Sequence, residues 1–394
     1  MPWKETRVMD QKVQMIGDWL SGDYTLTDLS RIYEVSRKTI YKWIDRYEVD
    51  ADTGLQARTS KPLTMPWSTP PEIITQILEV KSQHNHWGPR KILAWLKRSY
   101  PAQYWPVAST TNDILKRHGL VKTRRKRHQV PPYNEPFANS NQPNEVWCAD
   151  FKGQFRLGEG RLCYPLTVSD SHTRYLLGCW GLRHPAYLPT RSHLEYAFRE
   201  YGLPSAIRTD NGVPFASVAL GGLSSLSIWL IKQGIHPERI EKGHPEQNGR
   251  HERMHRTLKA EAISPPRQTM NEQQRAFDRF RIIYNQDRPH EALGQRTPGS
   301  LYHRSSRAYS EKLPEVEYAS NVTVRRVKPN GGVKWKGNEL YLCGALAGEP
   351  VGFKQIDNAV WQIYFSFHAL GILDERNLKI IPEQKCNLGL RTKM

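Results

Sequence analysis

Cysteine is scarce and scattered in this chain: five in 394 residues, at 148, 163, 179, 343 and 386, with no Cys-x-x-Cys pair. Such spacing suits neither a disulfide framework nor a structural zinc site, and reduced core thiols are the expectation. Long apolar runs are missing too. No stretch is long enough to span a bilayer, and the opening Met-Pro-Trp-Lys-Glu-Thr-Arg lacks the apolar centre of a signal peptide, so a soluble intracellular chain with no membrane partner is expected. Acidic residues are in deficit, 39 Asp plus Glu against 57 Lys plus Arg, which leaves a formal charge of +18. Neutralising phosphates and releasing counterions is how such a surplus becomes affinity for nucleic acid, with a merely solvated cationic surface as the alternative. The length predicts about two to four domains.

Within this shortage of acid, three carboxylates occupy three different settings. Asp150 lies in the strand-like Val146-Trp-Cys-Ala-Asp-Phe-Lys152, Asp210 in Arg208-Thr-Asp-Asn-Gly212 at the end of a short strand, and Glu252 in His251-Glu-Arg-Met-His255 on a predicted helix. Each alone has an ordinary reading as a solvent-facing strand end, a turn or a helix surface. Together, in a basic chain, they meet the needs of phosphodiester chemistry on two Mg²⁺ or Mn²⁺ ions. Such a displacement uses two hard cations about 4 Å apart, and each ion takes only one or two carboxylates from the protein.

These segments resemble the DDE superfamily of transposases and retroviral-type integrases. Trp147 stands before Asp150, Thr209-Asp-Asn-Gly212 carries the second acid, and Pro245-Glu-Gln-Asn-Gly249 leads to Glu252-Arg-Met-His-Arg-Thr-Leu-Lys259. Tyr284-Asn-Gln-Asp-Arg-Pro-His290 and Thr297-Pro298 look like the closing motif of bacterial insertion-sequence transposases. The resemblance covers roughly residues 140 to 305 and implies an RNase H-like core, with Asp150, Asp210 and Glu252 as catalytic and metal-binding residues. It further implies double-stranded DNA, both element ends and target, as partner, a homo-oligomer in a synaptic complex, and a bacterial cytoplasmic, nucleoid-associated location. Residues 211 to 251 place 41 positions between Asp210 and Glu252, more than in the best-known members. Glu246 would shorten the count but sits in the Pro-Glu-Gln-Asn-Gly turn, so the extra length is assigned to Val218 to Ser227. Asp170, the other acid in this region, is expected to cap a turn between strands.

The front of the chain (1–57) reads as a helix-turn-helix unit. Val8, Val13, Ile16 and Leu20 suggest one amphipathic helix, and residues 26 to 44 two more, with Thr27 and Ser36 as N-caps. Leu29, Ile32, Val35, Ile40 and Ile44 would pack inward. Arg37, Lys38, Thr39, Tyr41 and Lys42 would then face DNA from the last helix; a protein-contact bundle is the alternative. A linker rich in Pro, Ser and Thr separates a second helical module (66–128), with helices from Pro71 to Gln83, Pro89 to Ser99 and Thr110 to His118. It ends in a basic run containing Arg124, Arg125, Lys126 and Arg127, suited to DNA phosphates or equally to a solvated linker.

The core (135–305) reads as a mixed sheet with helices on its faces, the whole chain being multidomain α/β. Strands are predicted at 146–155, 161–169, 175–180, 205–209 and 235–237, with a helix at 191–201. Glu252, His255, Arg256 and Lys259 share one face of a helix, a cationic strip that would contact DNA. The last segment (316–385) alternates in short runs, at 322–327, 333–336, 339–343, 350–354 and 360–365, and predicts a small SH3-like β-barrel with Arg325, Arg326, Lys328, Lys334 and Lys336 as phosphate contacts. The functional expectation is a DNA transposase that binds terminal repeats and catalyses strand cleavage and transfer. A DNA-binding regulator on a silent core and a nuclease that never joins ends are the alternatives.

Overall fold

A computed structural model describes residues 8–56, 68–121, 140–217, 220–240 and 249–382. The chain divides into two compact units, residues 1–69 and 70–394.

In the first unit, α1 (Val8–Ser21), α2 (Leu26–Ile32) and α3 (Arg37–Asp50) enclose Met15, Ile16, Leu29, Ile40, Ile44 and Leu55. Ser36 caps α3 as expected, its hydroxyl accepting from the Thr39 N–H. The cap of α2 is Thr25 rather than Thr27, because Thr25-Leu-Thr-Asp28 forms a reciprocal capping box and Thr27 already lies inside the helix. Val8, Val13, Leu20 and Ile32 are exposed, contrary to the sequence reading. Val13 and Leu20 fall outside the arc that Met15, Ile16 and Trp19 turn inward, while Val8 and Ile32 sit at helix ends.

The second unit begins with α4 (Pro71–Gln83), α5 (Pro89–Ser99) and α6 (Ala108–Arg117). They pack around Ile77, Trp87, Ile92, Leu96 and Ile114. This module is docked rather than tethered: Arg90 pairs with Glu291, Arg98 donates to the Asp287 carbonyl, and Ile283 packs against its apolar core.

The central sheet is mixed. Strand β3 (Leu162–Asp170) pairs antiparallel with β1 (Val146–Phe151), with the short β2 (Phe155–Arg156) and with β4 (Leu176–Leu182). On the outer edge of β1, β5 (Ala206–Thr209) and then β6 (His236–Arg239) run parallel. The single strand predicted over 146–155 is broken after Phe151, where Gly153 takes a left-handed φ of 86°. Helices α7 (Tyr187–Tyr201) and α8 (Ser225–Lys232) cover one face through Phe198 and Trp229 against Trp147 and Ile207. On the other face, α9 (Gly249–Leu258) and α10 (Met270–Ile282) bring Met254, Leu258, Phe277 and Phe280 onto Cys163, Leu176 and Cys179. Asp170 caps its turn as expected, accepting from the Thr173 N–H and hydroxyl and from the Asn144 N–H. The described cysteines are free thiols, three of them buried.

The C-terminal segment is an open antiparallel sheet in the order β13–β12–β11–β10–β7 and a separate hairpin, β8–β9. Their ranges are β7 (Thr323–Arg326), β8 (Gly332–Trp335), β9 (Asn338–Tyr341), β10 (Pro350–Asp357), β11 (Val360–Phe365), β12 (His368–Asp374) and β13 (Lys379–Pro382). The expected C-terminal strands are present; among the described residues no strand pairing joins hairpin to sheet, and the two stack as layers. Val333, Trp335 and Leu340 of the hairpin lie over Val351, Phe353 and Ile363 of the sheet. That core continues into the central-sheet region. Helix α8 is apolar all round because it is buried on two sides, Trp229 and Leu230 in the central core and Ile228 and Ile231 in the C-terminal one. Leu220 and Leu223, from the extra length before α8, join the same contact.

Candidate active site

Strand alternation fixes where the first two acids stand. Trp147 and Ala149 of β1 face the α7–α8 core, as Ile207 of β5 does, so Cys148, Asp150 and Arg208 take the opposite face. In the parallel register Cys148 lies opposite Arg208 and Ala149 opposite Thr209. One step further along each strand come Asp150 and Asp210, both half-buried. Beyond Asp210 the chain turns, its carboxylate accepting from the Gly212 N–H at 3.0 Å, while the Asn211 amide donates to the Ile240 carbonyl. A Cβ on Gly212 would lie 3.0 Å from that carboxylate, so glycine permits the close turn.

Helix α9 buries His251, Met254, His255 and Leu258, the i, i+3, i+4, i+7 stripe of an amphipathic helix. The two histidines converge on Thr167, the Cα partner of Asp150 on β3, with each Nε2 2.7 Å from its hydroxyl oxygen. That hydroxyl is also 3.1 Å from the Asp150 carbonyl oxygen, and His251 Nδ1 is 3.3 Å from the Ser169 hydroxyl. His255 Nδ1 faces Asp150 Oδ2 at 3.9 Å. Burial pushes His251 down to about 3 and His255 to about 2, the latter helped by His251 and by the Lys152 charge. Both rings are therefore neutral near pH 7, and the His255–Asp150 approach is not an ion pair.

Among the described residues, Asp150, His251 and His255 form the one group of three whose ligand atoms lie within 4.8 Å of each other. Asp210 and Glu252 are not in it. Glu252 is exposed on the first turn of α9, a rotation of about 100° from His251. His255 departs from its expected place on the DNA-facing strip: it is 5% exposed and turned inward, whereas Arg256 and Lys259 are exposed with Glu252. The signal for this arrangement was present in His251-Glu-Arg-Met-His255, two histidines four apart with the spacing of metal ligands on one helix face.

Next to these groups lies a cavity of about 200 Å³ lined by Lys91, Arg174, Arg250, Arg253, Arg288 and His290, with Cys148 and Ser169 also in its wall. Burial lowers Lys91 to about 8 and Arg174 to about 10. Arg174 Nε and His290 Nε2 are buried without a hydrogen-bond partner, and Arg288 pairs with Glu261. The cavity is thus strongly cationic. Asn285 braces this end of the core, its amide accepting from the Leu176 N–H and donating to the Leu176 carbonyl, as a neighbouring strand would.

Away from the sheet, α3 presents Arg37, Lys38, Tyr41 and Lys42 to solvent, with Thr39 half-buried. The basic residues Arg124, Arg125, Lys126 and Arg127 lie outside the described residues. In the C-terminal segment Lys328 pairs with Glu339 and Lys336 with Glu375, leaving Arg325, Arg326 and Lys334 as the more open cations.

Residues 140–245 and 233–298 both match the Integrase core domain family. The central region, residues 140–298, thus matches the integrase core family throughout. Within this integrase-core protein, residues 11–61 match a Helix-turn-helix domain and 39–115 a Homeodomain-like domain. It is 33% identical over 182 residues to the 31.7 kDa protein of insertion element IS407 from Burkholderia multivorans, a match covering 46% of this chain and 63% of that one. A 39.2 kDa protein of insertion element IS476 from Xanthomonas euvesicatoria is 28% identical over 254 residues, covering 63% and 69%. The HTLV-2 integrase catalytic core domain in complex with magnesium aligns at 17% identity over 42% of this chain and 99% of that one, with a TM-score of 0.34. No described helix is long and apolar enough to cross a membrane.

Proposed function

We propose that this integrase-core protein is a transposase that binds the terminal repeats of a mobile element, cleaves a strand at each end and joins it to target DNA. The observation that carries the reading is the placement of Asp150 and Asp210 at the carboxyl ends of adjacent parallel strands. Two carboxylates so placed fit a pair of hard divalent cations. Mg²⁺ or Mn²⁺ bound there supplies positive charge to the attacking and leaving oxygens. In this proposal Glu252 is the third carboxylate, exposed on the same helix strip as Arg256 and Lys259, which take the DNA backbone. Asn211 and Gly212 hold the Asp210 turn in shape through the bonds described above.

The helix-turn-helix unit, through Arg37, Lys38, Thr39, Tyr41 and Lys42, reads the element end, and the basic run at 124–127 adds phosphate contacts. Joining two ends requires two active sites, so the working form is a homo-oligomer on double-stranded DNA, acting in the bacterial nucleoid. The test is incubation of the full chain with labelled element-end duplexes, a target plasmid and Mg²⁺ or Mn²⁺. Joined products that vanish with EDTA and with Glu252→Gln are expected. Specific binding without cleavage points to a regulator, and cleavage without joining to a nuclease.

A further inference from the structure

We propose that the cavity bounded by Lys91, Arg174, Arg250, Arg253 and Arg288 is a binding site for a phosphate group. Four separate parts of the chain build its wall: Lys91 comes from α5, Arg174 from the turn between β3 and β4, Arg250 and Arg253 from α9, and Arg288 from the segment after α10. Among the described residues, five basic and two acidic side chains line it. Neither acid answers the surplus. Asp170 is taken up by the Thr173 N–H and hydroxyl and by the Asn144 N–H, and Glu291 pairs with Arg90. Arg288 has its carboxylate in Glu261, and Arg250 donates to the Ser171 carbonyl. For the buried Nε of Arg174, no acceptor is present among the described residues. A charged N–H taken from water without an acceptor is costly, and an acceptor from outside the protein removes that cost.

The cations also act on one another. Burial lowers both Lys91 and Arg174, and the next cause in each case is another cation, Arg288 for Lys91 and Arg250 for Arg174. His290 is lowered first by burial, then by Lys91 and Arg288. An anion among these groups offsets all of their repulsions together. Cations on several walls favour a tetrahedral anion, whose oxygens point in four directions, over a planar carboxylate. Phosphate oxygens also match the guanidinium fork, which binds them through paired, charge-assisted hydrogen bonds. The cavity of about 200 Å³ has the room, since a single water needs only about 15 Å³. A DNA backbone and a free phosphate compound both supply this chemistry.

The full chain is titrated with inorganic phosphate in EDTA by calorimetry, with NaCl holding the ionic strength constant. Saturable binding is expected, and Arg174→Met and Lys91→Met should each weaken it by about tenfold or more, through loss of a charge-assisted hydrogen bond. Thermal midpoints separate ligand binding from a structural role. Without phosphate, Arg174→Met should melt at or above the wild type because it removes a buried charge that its neighbours repel; added phosphate should raise the wild type and not the variant. A lower midpoint for Arg174→Met in phosphate-free buffer would assign that residue to stability and take it out of the site. Phosphate binding that is absent from the wild type, or unchanged in both folded variants, would overturn the proposal. Labelled element-end duplexes, again in EDTA, identify the source: weaker binding with a shallower salt slope in the same variants assigns the phosphate to the DNA backbone, and unchanged binding to a free phosphate compound. No metal ion and no cleavage enter these measurements, so their outcome is separate from that of the joining assay.

Discussion

Ala149 and Thr209 are partners in the parallel pairing of β1 with β5, and each is followed directly by an aspartate. A register error of one residue would send one of the two carboxylates to the opposite face. The pair therefore depends on the sheet register and on the turn that follows Thr209. Asp150→Asn and Asp210→Asn should each lower strand joining by about 100-fold or more while end binding stays close to wild type. Gel-shift and joining assays on the same preparations check this. Joining retained in either variant removes that residue from the mechanism.

Acid should destabilise the protein through its buried histidines. Burial holds His251 at about 3, His255 at about 2, His290 at about 3 and His368 at about 4, all below the ordinary value near 6.5. The unfolded chain binds these protons first, so stability holds above about pH 6.5 and is lost as the pH falls towards 4. Each histidine contributes at most about 1.4 kcal/mol per pH unit in that window. Thermal midpoints between pH 8 and 5 should fall with acid, and His290→Gln should flatten the slope. A midpoint independent of pH over that range would refute the assignment.

Asn285 replaces a missing strand at Leu176, so Asn285→Ala leaves a buried backbone N–H and C=O without these bonds. The expected cost is about 2–4 kcal/mol. Urea unfolding of the full chain measures it, and a loss below half a kcal/mol, on the order of an ordinary surface change, would mean that water replaces the side chain.

The exposed cations on α3 should act on binding alone. Arg37→Ala and Lys42→Ala should weaken binding to element ends and reduce the slope of log affinity against log salt by about one each, with the melting temperature unchanged. An unaltered salt slope would move the DNA contact off this helix face.

The sequence made the strand positions in the core, the turn at Asp210 and the Asp170 turn legible because each rests on local signals: alternation, a turn after a short strand and a capping side chain. Buried contacts between distant elements were less visible. His255 was placed with Glu252 on helical spacing alone, and only packing of α9 on Thr167 shows that the inward arc of the helix includes it. The C-terminal alternation announced strands but not whether they close. Two further strands, β12 and β13, escaped notice, with Gly371 interrupting the apolar run of β12. Likewise Thr27 and Thr25 are equally good caps by type, and the reciprocal bond from Asp28 decides between them.

Helix α8 bears on how such a chain can be recombined. Leu223, Ile228 and Ile231 belong to a core whose remaining members come from Val327 to Leu373. A chimera that exchanges the C-terminal sheet for another must supply a matching apolar surface to those three side chains or leave them bare to water. Although separated by nearly a hundred positions of sequence, the helix and the sheet are one unit of inheritance.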